Sequence, residues 1–495
     1  MSKSMEIISN VSSFIPQNLI SEEISGIYGS DLLHDMGEII KLYNIYDGGA
    51  DFNPEGSKGD YIPSGLKYRK ASMLVDKEAR FLFAKSPDIK VQVDYTQGDL
   101  RAREQASTDS SIYQKFVDKV LKENQFNSAL IKAAKDCFIG KRVAWMCNFD
   151  ETLQKISFGF VSSLGFIAEY SDTDTTQLSK LICFYNMNDS SSRKDQRIYK
   201  KKYEMKNGYC YVSETIYDGS GEIVEEPIPE QRTLFTYIPG GVIINDGLTG
   251  DLKGSSDIER LADYESTFSK LANADIDAER KSMNPVFWTR DIDPGSTSNL
   301  SSSPGSYWDL QSDQNHSNDN VGAVGLLEPT MSYSSALETT LMRLTNTMYD
   351  EVDVPNIDLS TMSGVVSSGK GLKAIYWPLI VRCDEKMLAW KPAIEQIVKC
   401  IIDGAKLYPE SAKPYLVEQL PESEYGVMVE NQYPLPEDEA DEKTIDLAQV
   451  SNNTMSIKSY MKKWLNMTDD EADSEIEQIA RERQILENSY FPQGV

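Results

Sequence analysis

The chain has 495 residues, of which 40% are hydrophobic and 26% are charged, as in ordinary globular proteins. No run of 18 apolar residues occurs, so we expect no membrane-spanning helix. The formal net charge of −27 argues against a DNA-binding surface of the usual basic kind, because phosphate affinity comes from clustered lysines and arginines.

The N-terminal half predicts helices followed by an antiparallel sheet. Apolar residues recur at helical spacing over residues 19–27, 32–46, 66–85, 110–122 and 126–139. From Lys141 the period changes to two, which is typical of strands. The predicted strands are 89–93, before that change, and then 143–147, 156–161, 178–185, 197–205, 209–216 and 233–238. Asn207-Gly208 and Asp218-Gly219 have the chemistry of two-residue hairpin turns.

A long helix is predicted next, from Ser256 to Met283. Ser256 and Glu259 have the spacing of a capping box, and Asn284-Pro285 ends the helix. Residues 291–325 are rich in Ser, Gly, Asp and Asn, and short apolar pieces lie just before this region, at Val286–Trp288, and within it, at Tyr307–Trp308. We interpret this region as a small irregular module between two long helices.

The second long helix is predicted from Ser335, where Glu338 completes another capping-box spacing. Its apolar stripe shares one face and consists of Leu337, Leu341, Leu344 and Met348. Because the residue before a proline is biased away from helix, Val354 is the expected boundary. A loop then precedes a longer helix over residues 372–405, in which Pro378 and Pro392 should each cause a kink.

The C-terminal region is acidic and helical. Eight acids and a single lysine lie within residues 424–447. Three helices are predicted after this run begins, over 439–450, 457–465 and 469–486. Thr468 and Glu471 form a capping-box spacing before the last of them.

Catalytic motifs are weak. Gly364 to Lys370 fits the phosphate loop G-x-x-x-x-G-K, but the next residue is Gly371 where Ser or Thr would hold magnesium. His34 and His316 are the only histidines, which leaves little room for histidine-based catalysis. The six cysteines form no Cys-x-x-Cys pair, so we expect free and mostly buried thiols, with no metal and no cofactor.

The order of elements resembles that of the portal proteins of tailed double-stranded DNA bacteriophages. The local similarities lie at Ser363–Lys373, at Gly254–Glu259, at Leu66–Pro87 and, most weakly, at Asp470–Glu477. The serine-rich residues 296–318 depart from the family pattern and leave the boundary of the clip open.

The resemblance implies an α+β fold, a predominantly helical portal-type ring subunit with an antiparallel β-rich wing. The implied regions follow the chain in order. They are the wing (1–250), stem helix (251–283), clip (284–331), second stem helix (332–352), tunnel loop (353–368), wing spine helix and following segment (369–430) and helical crown (431–495).

The resemblance also implies a function. Such a chain would form a homo-oligomeric ring, usually of twelve subunits, at one capsid vertex of the virion, through which double-stranded DNA passes without sequence specificity. The major capsid and scaffolding proteins, the terminase motor and then a head–tail connector would be its partners. The start of the chain lacks the apolar core of a signal peptide, so we expect assembly in the host cytoplasm.

Three groups of residues are candidates for this function. The DNA-channel loop would use Asp353, Pro355, Asn356, Asp358, Met362, Ser363, Gly364, Val365, Val366 and Ser367. The clip would bind the motor and the connector through Trp288, Arg290, Tyr307 and Trp308, although its aromatic residues can equally serve to hold the clip together. Candidate channel-wall acids, which would repel DNA phosphates, are Asp257, Asp263, Asp275 and Asp277.

Two other functions stay open at this point. The first is an acidic nucleotide-hydrolysing enzyme or nuclease that uses the loop from Gly364 to Lys370. The second is a large cytoplasmic scaffold whose helices bind partners. A ring with a central hole of DNA width would distinguish the portal from both.

Overall fold

The structure is a computed structural model of the chain. It describes residues 27–48, 62–93, 100–171, 173–174, 176–188, 194–283, 286–297, 308–312, 322–327, 331–357, 369–416, 418–435, 439–465 and 467–490. The chain divides into two compact units. The larger unit is Met1–Val354 with Val381–Tyr433, and the smaller is Pro355–Ile380 with Pro434–Val495.

Helices and antiparallel strands both contribute, which confirms the predicted α+β class. The described helices are α1 Ile27–Tyr46, α2 Lys70–Phe83, α3 Leu100–Glu123, α4 Phe126–Gly140, α5 Asp257–Met283, α6 Pro294–Thr297, α7 Ser334–Glu351, α8 Gly369–Ile375, α9 Trp377–Leu407, α10 Pro409–Ala412, α11 Glu439–Ser451, α12 Ile457–Leu465 and α13 Asp469–Tyr490. The helix predicted to start at residue 110 begins ten residues earlier. The prediction missed its first turns because they are mostly polar and exposed and carry no apolar stripe. The segment predicted over 19–26 lies outside the described residues.

The strands lie in the larger unit and pair antiparallel throughout the part of the chain that the structure describes. They are β1 Asp88–Val93, β2 Arg142–Asp150, β3 Lys155–Ser162, β4 Phe166–Tyr170, β5 Leu178–Asn186, β6 Ile198–Lys206, β7 Tyr209–Tyr217, β8 Ile223–Arg232, β9 Gly240–Ile244, β10 Val286–Arg290, β11 Ala323–Leu327 and β12 Tyr425–Glu430. Their orders are β3-β2-β9, β4-β5-β6-β7-β8, β1-β12 and β10-β11.

The prediction of a strand over 233–238 is wrong, because these residues form the connection between β8 and β9. The period-two pattern also missed β4, β8, β9, β10, β11 and β12. In β8, Pro227 and Pro229 interrupt the pattern, and nearly the whole strand is exposed. Prolines are tolerated there because β8 is an edge strand whose outer side has no ladder to complete.

The two predicted hairpin turns differ in outcome. Asn207 and Gly208 join β6 directly to β7 with φ angles of 54° and 80°, as a two-residue hairpin turn with both central residues left-handed requires. The turn at Asp218 is longer than predicted, since β8 begins only at Ile223. The Asp218 carboxylate accepts the amides of Ser220 and Glu222 at 2.8 and 2.9 Å and so stabilises the wider loop.

The long helices agree with the predicted periods, but the predicted cap of the second one is wrong. The Ser256 hydroxyl donates to the carbonyl of Ile139 at 2.7 Å, so its hydrogen bond ties α5 to the end of α4. Helix α7 begins at Ser334 behind Tyr333, which makes no side-chain cap. The predicted kink at Pro378 corresponds to an interruption at Tyr376 between α8 and α9, while Pro392 lies inside α9.

The core of the larger unit is aromatic and aliphatic. Trp390 of α9 lies 5.0 Å from the ring of Phe83 and 6.2 Å from that of Phe160, so one side chain joins α2, α9 and the three-stranded sheet. Gly404 allows the Phe149 ring to contact the backbone of α9, where any Cβ would overlap it.

All six cysteines are buried and free, as predicted. No helix among the described residues is long and apolar enough to cross a membrane.

The last capping box is confirmed within the smaller unit. The Thr468 amide donates to the Glu471 carboxylate at 2.9 Å, and the Glu471 amide donates back to the Thr468 hydroxyl at 3.4 Å. The Thr468 hydroxyl also donates to the Glu471 carboxylate, at 3.0 Å. The amide and the hydroxyl of Thr468 both stabilise the ionised carboxylate, so they lower the pKa of Glu471 below its ordinary value.

We predict that the start of α13 loses protection as the pH falls. A lowered carboxyl pKa contributes stability above the unfolded value of 4.5 and loses it as the pH drops through the folded pKa. The protection of amides 468–472 from hydrogen exchange, corrected for the intrinsic pH dependence of exchange, should therefore decrease below pH 4.5, and Glu471→Gln should flatten this dependence. Glu475→Gln, a neutralisation on the same helix, is the control and should keep the wild-type profile.

Candidate functional site

The most constrained polar site of the larger unit is a buried cluster of charges, which we call the charge cluster. It consists of Glu78, Asn245, Asp257, Arg382 and Lys386. Helix α2 supplies Glu78, the loop after β9 supplies Asn245, and α5 supplies Asp257 as its first residue. Arg382 and Lys386 lie four residues apart on α9 and so project from one face of that helix.

Lys386 has a complete set of acceptors. Its ammonium Nζ lies 2.7 Å from Asp257 Oδ2, 2.8 Å from Asn245 Oδ1 and 3.4 Å from Glu78 Oε1. The same ammonium lies 3.9 Å from the centre of the Phe138 ring. Burial alone would lower the pKa of Lys386, but the carboxylates of Asp257 and Glu78 raise it above its ordinary value.

Arg382 binds two buried carboxylates through separate nitrogens. Its Nε lies 2.7 Å from Glu78 Oε1, and its NH2 nitrogen lies 2.6 Å from Asp257 Oδ1. Burial raises the pKa of Glu78 despite the opposing pull of Lys386 and Arg382. The arrangement holds α2, α5 and α9 together, because the cations of α9 neutralise the carboxylates that α2 and α5 contribute.

Further acids of α5 accept backbone amides just before α2 and in its first turn. Asp277 accepts the amide of Ser64 at 2.8 Å, and Glu265 accepts the amide of Ala71 at 2.9 Å. The second contact places a carboxylate at the N-terminus of α2, where the helix dipole favours negative charge. These acids therefore serve the packing of the subunit itself.

This packing corrects part of the predicted channel wall. Asp257 and Asp277 are buried and paired, so they are not available to line a channel. The resemblance implied these acids as wall candidates without showing which way they face, and each of the two has a hydrogen-bond donor from another segment. Asp263 is exposed and Asp275 is half-buried.

Only the beginning of the predicted channel loop is described. Asp353 is exposed and follows α7 with a φ of 53°. Its Oδ2 lies 3.8 Å from the NH1 nitrogen of Arg382. Pro355 is half-buried and Asn356 is exposed. The candidates outside the described residues are Asp358, Met362, Ser363, Gly364, Val365, Val366 and Ser367.

The predicted clip contains a two-stranded ribbon with exposed apolar side chains. Trp288 pairs with Gly325 across the β10–β11 ladder, and its ring lies against the glycine, where an added Cβ would come within 2.6 Å of Cε2. Trp308 packs edge-on against Phe287 at 4.7 Å. Trp288 nevertheless remains 44% exposed, and Arg290 is also exposed. Tyr307 lies outside the described residues.

No group of three or more His, Cys, Asp or Glu side chains that could hold a metal ion occurs in the described part of the chain. The degenerate phosphate loop is described only at its end, where Gly369 and Lys370 open α8.

Comparison with known proteins identifies the family. The model of the family described as "Phage portal protein, SPP1 Gp6-like" matches residues 28–486. No curated protein matches the chain. The family match confirms the resemblance seen in the sequence. Sequence periodicity missed the charge cluster, because its members are far apart in the chain; Glu78 and Arg382, for example, are separated by 304 positions.

We predict that Lys386→Met destabilises the larger unit by about 3–5 kcal/mol, because removal of one partner leaves a buried carboxylate uncompensated. Urea unfolding at pH 7 measures the change. Lys413→Met, which breaks the exposed ion pair with Glu410, is the matched control and should cost less than about 1 kcal/mol. An equal loss in both variants would contradict a special role for the cluster.

Proposed function

The chain belongs to the phage portal protein family, SPP1 Gp6-like, and from this membership we propose that it forms a ring-shaped DNA channel at one capsid vertex. Genomic double-stranded DNA passes through this ring during packaging and ejection. The subunit number proposed is twelve, and assembly takes place in the host cytoplasm.

The exposure of α7 is the structural observation that carries the proposal. Of the 18 residues of this helix, only Met348 and Tyr349 are buried in the single subunit. The leucines of its apolar stripe, Leu337, Leu341 and Leu344, are only half-buried. A helix with an incompletely covered apolar stripe gains stability when a neighbour covers it. Packing of stem helices from adjacent subunits in a ring supplies that cover.

The proposed regions keep the bounds expected from the sequence. The wing is 1–250, the stem helices are 251–283 and 332–352, and the clip is 284–331. The tunnel loop is 353–368, followed by the spine at 369–430 and the crown at 431–495. The clip docks the terminase motor first and the head–tail connector later, while other surfaces meet the major capsid and scaffolding proteins.

In this proposal the chain has no catalytic activity of its own. The alternative, a nucleotide-hydrolysing enzyme or nuclease that uses Gly364 to Lys370, lacks the hydroxyl residue for magnesium after the lysine. Negative-stain microscopy and native mass measurement test the ring, and a nucleotide-binding assay tests the alternative. Protein that stays a single copy even with its capsid and scaffolding partners contradicts the portal function.

We predict that replacement of residues 356–368 by a short glycine linker spares ring assembly but impairs DNA packaging or retention. The replacement leaves Asp353 and Val354, which end α7, in place. Ring formation is measured by microscopy, and packaged DNA by protection from nuclease. A control linker of the same composition, inserted after the exposed Ser220 in the turn between β7 and β8, should leave both measurements unchanged. Normal packaging by rings that carry the first replacement would refute a role of this loop.

We predict that Trp288→Ala weakens binding of the clip to the motor or the connector by about tenfold or more, because partly exposed aromatic side chains often dominate interfaces. The thermal midpoint of the free protein, measured in parallel, separates an interface anchor from a residue that only holds the ribbon together. Thr289→Ala, on the same strand and exposed, is the control and should leave binding unchanged. Unfolding at a much lower temperature with unchanged binding would assign Trp288 to the ribbon alone.

A further inference from the structure

The end of α7 has the hydrogen bonds of a Schellman motif. The amide of Val354 donates to the carbonyl of Tyr349 at 3.1 Å, and the amide of Asp353 donates to the carbonyl of Asp350 at 3.2 Å. Val354 and Tyr349 are both buried, and they occupy the positions that form the hydrophobic contact of this motif. Asp353 therefore occupies the left-handed position, where glycine is the usual residue.

An aspartate is a costly residue at that position. The left-handed conformation costs an ordinary residue roughly 1–2 kcal/mol, and aspartate tolerates it better than most but less well than glycine. The cap itself needs no carboxylate, because both of its hydrogen bonds are made by the backbone. The side chain of Asp353 must therefore be explained by what it contacts.

Asp353 contacts the guanidinium group of Arg382. Glu78 and Asp257 fix the guanidinium through Nε and NH2, and only 11% of the arginine side chain is exposed. The remaining nitrogen NH1 faces Asp353, whose side chain is 47% exposed. At 3.8 Å the pair is a charge–charge contact at the edge of the charge cluster. Since two buried carboxylates hold Arg382 independently, the contact with Asp353 can break without disturbing them.

We propose that Asp353 is a positioning residue, which ties the C-terminal end of α7 to α2, α5 and α9 through Arg382. The carboxylate thereby sets the direction in which the chain leaves the helix. If the proposed portal function holds, this direction is the one in which the chain enters the channel loop. The positioning role itself rests only on contacts within the larger unit.

Three variants distinguish the contribution of the Asp353–Arg382 ion pair from that of the backbone cap. Asp353→Asn keeps a residue that tolerates the left-handed conformation but removes the charge. Asp353→Gly removes the charge and supplies the residue that the cap prefers. Asp350→Asn makes the same charge change one turn earlier on α7 and serves as the matched control.

Hydrogen exchange at the amides of Asp353 and Val354, or of the residues that replace them, is the measurement. Relative to wild type and after correction for intrinsic rates, we expect Asp353→Asn to speed exchange about two- to fivefold at low salt, the range of an exposed ion pair. The difference should shrink in 1 M salt, where screening acts over about 3 Å. Asp353→Gly should exchange more slowly than Asp353→Asn, because glycine relieves the left-handed strain while the ion pair is lost. Asp350→Asn should exchange like the wild type.

A cap without an ion-pair role predicts that Asp353→Asn exchanges like the wild type at low and at high salt. That result would overturn the positioning role. Failure of the wild-type protein to form rings would instead overturn the portal function, and the exchange measurement would be unaffected. The two failures are therefore distinguishable.

Discussion

The larger unit depends on the neutralisation of the cations of α9 inside the protein. An isolated buried charge is too costly to keep, so Arg382 and Lys386 can be buried only where carboxylates meet them. Glu78 and Asp257 come from different helices, and each contacts both cations. These contacts therefore specify the position of α9 along its own axis.

Most of the apolar packing would not fix that position. The buried face of α9 includes Met387, Trp390 and Ile394, and hydrophobic contacts of this kind are non-directional. One close contact does constrain the position, because any Cβ in place of Gly404 would overlap the Phe149 ring. A shift of the helix by one turn would break this contact and would also separate both cations from their carboxylates. The charge cluster and the Gly404 contact therefore specify the register together.

The sequence allowed prediction of what depends on neighbouring residues. Periodicity located α9 and the C-terminal helices, and the Thr468–Glu471 cap formed as predicted because both partners lie within one turn. The Ser256 hydroxyl donates to a carbonyl 117 positions away, a contact that no local spacing predicts. The resemblance implied Asp257 as a candidate on a channel wall, and the sequence contained no information about the distant cations that bury it. The family resemblance predicted the class of protein, whereas the contacts that hold its helices together required the structure.

The buried acids also change how the net charge of −27 bears on a DNA channel. Asp257, Glu265 and Asp277 of α5 are occupied by donors from their own subunit. The exposed positions of that helix carry acids such as Asp263 together with bases such as Lys270. The potential along a channel depends on the charges nearest the DNA, because those farther than a Debye length are screened. Repulsion of DNA by this helix would therefore depend on a few exposed acids, and the total charge of the chain is a poor measure of it.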